Sequence, residues 1–306
     1  MTGRFAPTPS GRLHLGNILC AMLAWLSVRS RGGRFLLRIE DVDMPRCPRE
    51  LTELCVSDLR RLGFDWDEPP LLQSERTGLY EAALSRLEEQ GAVYPCFCTR
   101  KELLAVRAPN QGDTQVVYPG TCRSLTPEQR DRLSRLRSPA LRLRVPEEEI
   151  AFTDGLQGPY REELALACGD FVLRRSDGLF GYQLAVVVDD GAQGVTEVVR
   201  GRDILSATPR QIYLQRLLGL PRPDYIHIPL LTDAQGRRLA KRDRDLDLTA
   251  LLQRFTPEQL LGMLAFSAGL LPEPEPMSLY RLIPYFSWEK VPRETLRLPE
   301  LLTRDA

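Results

Sequence analysis

Three groups of residues in this chain have the types and spacing to do chemistry. The first is RFAPTPSGRLHLGN, Arg4–Asn17, where a strand runs through a Pro/Ser/Gly turn into a helix start carrying His-x-Gly. Free backbone N–H groups and the helix dipole make such a helix end an anion site. His14 can donate to a phosphate oxygen, and Gly16 removes a side chain where a purine could lie against the backbone. Alone, the His-x-Gly triplet reads more readily as a turn with a surface histidine; the whole stretch is far more specific. The second group is RRLAKR, Arg237–Arg242. Lys241 on a closing loop would neutralise a departing pyrophosphate, although basic loops are commonly just solvated. The third is Cys96, Cys98 and Cys122, three thiols that fall one ligand short of a tetrahedral zinc set. A three-cysteine site completed by water and ordinary buried thiols both remain open.

Composition bounds the remaining possibilities. The chain has 306 residues, 41 Lys plus Arg against 41 Asp plus Glu, 43% apolar and 27% charged residues, and two histidines. That is an ordinary globular composition, long enough for about two domains and a substantial core. Balanced charge excludes a general polycation, so a nucleic acid must be held by a local patch. Arg123, Arg130, Arg132, Arg135, Arg137, Arg142 and Arg144 form one candidate, with Glu128 and Asp131 the only acids from 123 to 145. The longest apolar run, Ile18–Leu26, is far below the roughly 18 residues of a membrane span, and no secretory signal is visible at the start. Seven cysteines in such a chain favour reduced thiols and a cytoplasmic setting; Cys20, Cys47, Cys55 and Cys168 show no grouping.

The elements that must position these groups alternate. A strand at Gly3–Pro7 leads to a helix from about Leu15 to Arg31, then to the strand RFLLRIE, Arg34–Glu40, whose near-continuous apolar residues suit a buried parallel sheet. Pro48 fits the first turn of a helix with Leu51, Leu54, Cys55, Leu59 and Leu62 on one face, ended by Gly63. A further helix is expected between Ser74 and Gly91, with Leu79, Ala83, Leu84 and Leu87 inward. This is the rhythm of a doubly wound α/β sheet. It breaks from Tyr94 to about Pro146, which reads as an insertion with a helix candidate at Pro127–Arg137. The α/β pattern returns with LAVVVDD, Leu184–Asp190, and VTEVVRG, Val195–Gly201. A helix near Thr208–Leu218 and the strand YIHIPLL, Tyr225–Leu231, follow. Apolar helical segments come after Asp245, with a PEPEP linker at Pro272–Pro276. The expected division is 1–93 with 147–245 as the sheet domain, 94–146 as the insertion, and 246–306 as a C-terminal helical segment.

His-Leu-Gly-Asn at 14–17 resembles the His-Ile-Gly-His signature of class I aminoacyl-tRNA synthetases, and Arg-Leu-Ala-Lys-Arg at 238–242 their Lys-Met-Ser-Lys-Ser signature. RFAPTPSG, RIEDVD (Arg38–Asp43), VVDD (Val187–Asp190) and VVRGRD (Val198–Asp203) are similar to the glutamate-specific branch. The resemblance covers about residues 3–245 in the right order. Asn17 departs from the first signature, and Ala240 lacks the serine hydroxyl that would contact ATP, while Lys241 is retained. The resemblance implies a Rossmann-like parallel sheet with a zinc-bearing insertion. It implies catalytic roles for His14 and Lys241, ATP contacts from His14, Gly16, Asn17 and Lys241, and Mg²⁺ with the nucleotide. By the same resemblance, glutamate would be bound by Arg4, Phe5, Ala6, Pro7, Thr8, Glu40, Tyr182 and Arg200. The two arginines would meet carboxylates, and Glu40 the ammonium.

The chemistry implied is attack of an amino-acid carboxylate on the α-phosphate of ATP. A carboxylate needs no general base, so alignment and charge stabilisation do the work, which suits a chain poor in histidine. A Cys-x-Cys…Tyr-x₃-Cys arrangement resembles the zinc site of the short glutamyl-Q branch of this family, which implies Tyr118 as the fourth ligand beside Cys96, Cys98 and Cys122. Residues 246–306 are too few for the large anticodon-binding region of a full glutamyl-tRNA synthetase. The short branch activates glutamate without tRNA and transfers it to queuosine in tRNA(Asp). The alternatives are a truncated glutamyl-tRNA synthetase charging the tRNA(Glu) 3′ end, a small-molecule nucleotidylyltransferase and a non-catalytic tRNA-binding paralogue.

Overall fold

The computed structural model describes residues 1–105, 117–232, 248–299 and 302. Its first elements are β1 (Thr2–Phe5), α1 (Leu15–Arg29), β2 (Arg34–Ile39), α2 (Arg49–Arg61), β3 (Leu71–Leu72) and α3 (Thr77–Glu89). Then come β4 (Val93–Cys96), α4 (Arg100–Ala105), α5 (Pro127–Ser134), β5 (Ala140–Leu143), β6 (Glu149–Asp154), β7 (Gly158–Glu163), α6 (Leu164–Ala167) and β8 (Phe171–Arg174). The chain continues through α7 (Tyr182–Ala192), β9 (Glu197–Gly201), α8 (Thr208–Leu218), β10 (Asp224–Ile228) and β11 (Leu231–Thr232). It finishes with α9 (Leu248–Arg254), α10 (Pro257–Ser267), α11 (Leu279–Leu282) and β12 (Leu296–Arg297).

Five strands form one parallel sheet in the order β10-β9-β1-β2-β3. The chain moves outward from β1 through β2 and β3, then returns to place β9 on its other side. Strand order therefore reverses between β1 and β9, and ligands in such sheets bind in the crevice at the carboxyl ends of the strands flanking that point. A second sheet, β4-β5-β8, is antiparallel, and the β6–β7 hairpin lies between β5 and β8 in sequence.

Helix α1 is buried on every side, from Leu15 through Trp25 to Val28. A helix apolar all round must be covered all round. The sheet covers one side through β1, β2 and β9, and α10 and α11 cover another. Residues from Leu248 to Leu302 join the same hydrophobic core as α1. PEPEP is no spacer. The Met277 amide donates to Glu258, and a Cβ on Gly262 would lie 1.8 Å from the Glu275 carbonyl, so the strap is pressed directly onto α10.

Two expectations need correction. LAVVVDD, whose valines suit a strand, lies within helix α7. The buried acids at 189 and 190 fit a helix: a strand would send adjacent side chains to opposite faces, whereas about 100° of helical turn keeps both on the interior side, Asp189 meeting Arg76 and Asp190 meeting Arg38. In α3, Leu79 is 46% exposed, and Tyr80 occupies the inward position with Ala83, Leu84 and Leu87. The Tyr80 hydroxyl donates to buried Asp189 at 2.7 Å, which fixes the helix rotation. Among the described residues, no helix is long and apolar enough to cross a membrane.

Candidate active site

The carboxyl ends of β1, β2 and β9 bring Arg4, Glu40 and Arg200 to one crevice. Arg4 donates from Nε to Asp190 at 3.2 Å, and Arg38 donates to the same oxygen at 2.6 Å. Burial works against an ionised Asp190, but Arg38 and Arg4 outweigh it and hold the carboxyl below its ordinary value. Glu40 is placed by its amide donating to the Pro7 carbonyl at 2.9 Å. Its carboxyl lies in the fields of Arg38, Arg4 and Arg200 but makes no hydrogen bond or ion pair among the described residues. Burial dominates there and pushes the group up to about 7. Tyr182, the first residue of α7, is 40% exposed and stands among the charges of Glu40, Arg200, Arg4 and Asp190. Phe5 and Pro7 are buried, Ala6 is half-buried and Thr8 is exposed.

Arg200 is held differently from the other arginines. Its Nε donates to His227 Nε2 at 2.9 Å, and its two terminal nitrogens donate to Gln211 at 2.8 Å and Thr208 at 2.6 Å. Tyr225 lies beneath the guanidinium, 5.1 Å from ring centroid to Cζ. All four partners are neutral. Burial and Arg200 together hold His227 below its ordinary value, so the ring is uncharged near neutral pH.

At the start of α1, His14 is the N-cap. Its Nδ1 accepts from the Gly16 amide at 3.1 Å, while Asn17 accepts from the His14 amide at 3.2 Å, a reciprocal capping box. With Nδ1 used as an acceptor, the neutral ring carries its proton on Nε2. A Cβ on Gly16 would sit 3.0–3.1 Å from the His14 ring, so glycine lets the ring fold back onto its own helix. Lys241 and the rest of the 237–242 loop lie outside the described residues.

The sulfurs of Cys96, Cys98 and Cys122 all lie within 4.8 Å of one another. Cys98 and Cys122 are 3.6 Å apart, and the Tyr118 hydroxyl is 3.4 Å from Cys96 and 3.9 Å from Cys98. Donors around a tetrahedral zinc ion with bonds of about 2.0–2.3 Å are separated by roughly 3.5–3.8 Å, so this donor set fits one. Burial raises the Cys96 thiol, but the Tyr118 hydroxyl, the Cys98 amide and Arg142 outweigh it and lower the group below its ordinary value. Burial and the neighbouring sulfurs push Cys98 the other way. The cluster can hold a metal ion.

The arginine run does not form a single open face. Arg142 is buried, donates to the Asp170 carbonyl at 2.7 Å and stacks on the Tyr118 ring at 3.8 Å. Arg144 lies over Tyr94, and Arg123 pairs with Asp170. These three hold the insertion together, while Arg132, Arg135 and Arg137 remain on its surface. Reading the sequence did not single out Arg38, Asp154, Asp190, Thr208, Gln211 or His227. One signal was available: a histidine in the apolar strand YIHIPLL must find a buried partner.

A family profile described as tRNA synthetases class I (E and Q), catalytic domain, matches residues 1–257. The chain is 50% identical over 311 residues to the glutamyl-Q tRNA(Asp) synthetase of Symbiobacterium thermophilum, covering 98% of this chain and 96% of that protein. It is 49% identical over 308 residues to the protein of that name from Nitratidesulfovibrio vulgaris, covering 97% and 95%. A crystal structure of glutamate-tRNA synthetase from Elizabethkingia anophelis superposes with a TM-score of 0.86 at 26% identity, covering 99% of this chain and 68% of that one. With its parallel sheet, helix-tip histidine and arginine-lined crevice, the chain belongs to the class I tRNA synthetases of the glutamate and glutamine type.

Proposed function

We propose that the chain activates glutamate with ATP in the absence of tRNA and then transfers the glutamyl group to queuosine at the wobble position of tRNA(Asp). The observation that carries the reading is a pair of opposite charges in one crevice: Glu40, buried and, among the described residues, without a partner, and Arg200, cradled among those residues by neutral groups. A zwitterionic amino acid with a second carboxylate complements that pair. Similarity along nearly the whole chain to relatives named for glutamate and tRNA(Asp) supports the same substrate and acceptor.

In this reading Glu40 meets the ammonium, Arg4 and Arg200 orient the carboxylates, Tyr182 walls the pocket, and Phe5, Ala6, Pro7 and Thr8 shape it. The α-carboxylate attacks the α-phosphorus of ATP and pyrophosphate leaves. His14 donates from Nε2 to a phosphate oxygen at the positive end of α1, with Gly16 and Asn17 beside it, and Lys241 stabilises the leaving pyrophosphate. Mg²⁺ bound to the nucleotide would offset phosphate charge. Cys96, Cys98, Tyr118 and Cys122 would hold a structural Zn²⁺ that cross-links the insertion. The setting is cytoplasmic, where the RNA acceptor is found.

ATP–pyrophosphate exchange with glutamate and no tRNA tests the first step, and labelling of queuosine-containing tRNA(Asp) against tRNA(Glu) tests the second. Exchange that requires tRNA(Glu), with label on its 3′ end, would overturn the proposal in favour of a truncated glutamyl-tRNA synthetase.

A further inference from the structure

Arg200 and His227 are register partners on the adjacent parallel strands β9 and β10, and both are buried, 4% and 0% exposed. An arginine Nε–H can only donate, so the His227 Nε2 that meets it at 2.9 Å must be an unprotonated acceptor. The ring proton then sits on Nδ1, 2.5 Å from Asp154 Oδ2. Asp154 Oδ1 accepts from the amides of Leu156, Gln157 and His227 at 3.0, 2.8 and 3.1 Å. Asp154 ends β6, so the turn of the β6–β7 hairpin anchors the imidazole from behind. Arg4 and Arg38 share the Asp190 carboxylate, whereas nothing anionic touches the Arg200 guanidinium among the described residues.

We propose that His227, its tautomer fixed by Asp154, is a positioning residue that aims Arg200 at a glutamate carboxylate while leaving the guanidinium charge uncancelled. A carboxylate in its place would hold Arg200 as firmly but neutralise it. A hydrocarbon would leave the charge intact but Nε unheld, with Gln211 and Thr208 alone to set the guanidinium plane. Neutral imidazole does both tasks, and the hairpin becomes part of the substrate site without touching substrate. The inference rests on the glutamate-activating reading above.

Tautomers and steady-state exchange kinetics test it on the intact chain. The protein has only two histidines, and His14 and His227 are expected to show opposite neutral tautomers. Nitrogen NMR of ¹⁵N-histidine-labelled protein at pH 7.5 should show Nε2–H for one ring and Nδ1–H for the other, assigned with His14→Asn. A His227 ring protonated at Nε2 overturns the proposal. In exchange assays, His227→Phe should raise KM for glutamate by about 10- to 100-fold, as expected for a misplaced substrate-binding group, with KM for ATP within about twofold. His227→Gln offers an amide oxygen close to the Nε2 position and should stay within several-fold of the parent. An unchanged glutamate KM in His227→Phe, equal rises in both KM values, or a His227→Gln variant as impaired as His227→Phe overturns the inference while leaving the functional reading intact. Absence of glutamate-dependent exchange in the parent chain would remove that reading and this inference with it.

Discussion

Replacing Glu40 with glutamine should stabilise the protein while disabling it. The buried carboxyl is raised from its ordinary 4.5 to about 7. A difference of that size between folded and unfolded states means that the ionised group destabilises the folded chain by about 3 kcal/mol. Below pH 4.5 both states are protonated and the parent and Glu40→Gln should unfold alike. Between pH 4.5 and 7 the unfolded chain loses the proton while the folded chain keeps it, so parental stability falls relative to the variant. Above pH 7 the difference is complete. At roughly 2 °C per kcal/mol for a chain of this size, Glu40→Gln should melt about 6 °C higher at pH 8.5 and within a degree of the parent near pH 4.5. Its glutamate-dependent exchange should drop by about 100-fold or more, because the ammonium loses its counter-ion. Melting curves across that pH range, paired with exchange rates, decide the matter. A variant no more stable than the parent at pH 8.5, or a gain equal at every pH, would refute the account of Glu40 as a strained, substrate-seeking charge.

The same carboxyl makes glutamate recognition pH-dependent: KM for glutamate should rise about tenfold per pH unit below 7, and a flat profile from pH 5.5 to 7 would count against it. Gly16→Ala places a methyl 3.0 Å from the His14 ring, so exchange kcat should fall about tenfold with the helix intact by circular dichroism; unchanged kcat would remove His14 geometry from the chemistry. Cys122→Ser should lose bound metal by elemental analysis and expose the insertion to protease. Glutamate exchange should stay within a few-fold, since the cysteine cluster has its own small core. Collapse of exchange in that variant would show that the two regions depend on each other.

The parallel sheet and its helices were legible because β1, β2 and α1 obey local rules: apolar runs of strand length, a proline turn and a glycine stop. Where tertiary contacts decide, local reading failed. The valines of α7 favour a strand by propensity, yet Asp189 and Asp190 must both stay on the buried side to meet Arg76 and Arg38, which a helix permits and the alternating faces of a strand do not. Leu79 lost its inward place to Tyr80 for the sake of a single hydroxyl bond to Asp189. Arg142 looked like part of a basic surface until Tyr118 and the Asp170 carbonyl claimed it. The site residues with family motifs were visible as residues but not as an arrangement. That Asp190 serves two arginines, and that His227 faces Arg200 across a strand pair, depends on register between segments far apart in sequence.

The fully enclosed first helix limits how small a working enzyme can be made. The family match stops at residue 257, yet Tyr280 reaches back to Asp65 and packs edge-on against Trp25, and Trp288 donates to Ser27. An engineer who trimmed the chain at the boundary of the match would strip the outer coat from the very rod whose tip presents His14. Such a miniature should aggregate rather than turn over, and any minimal scaffold must carry the stretch from α10 through Leu298 as part of its wall.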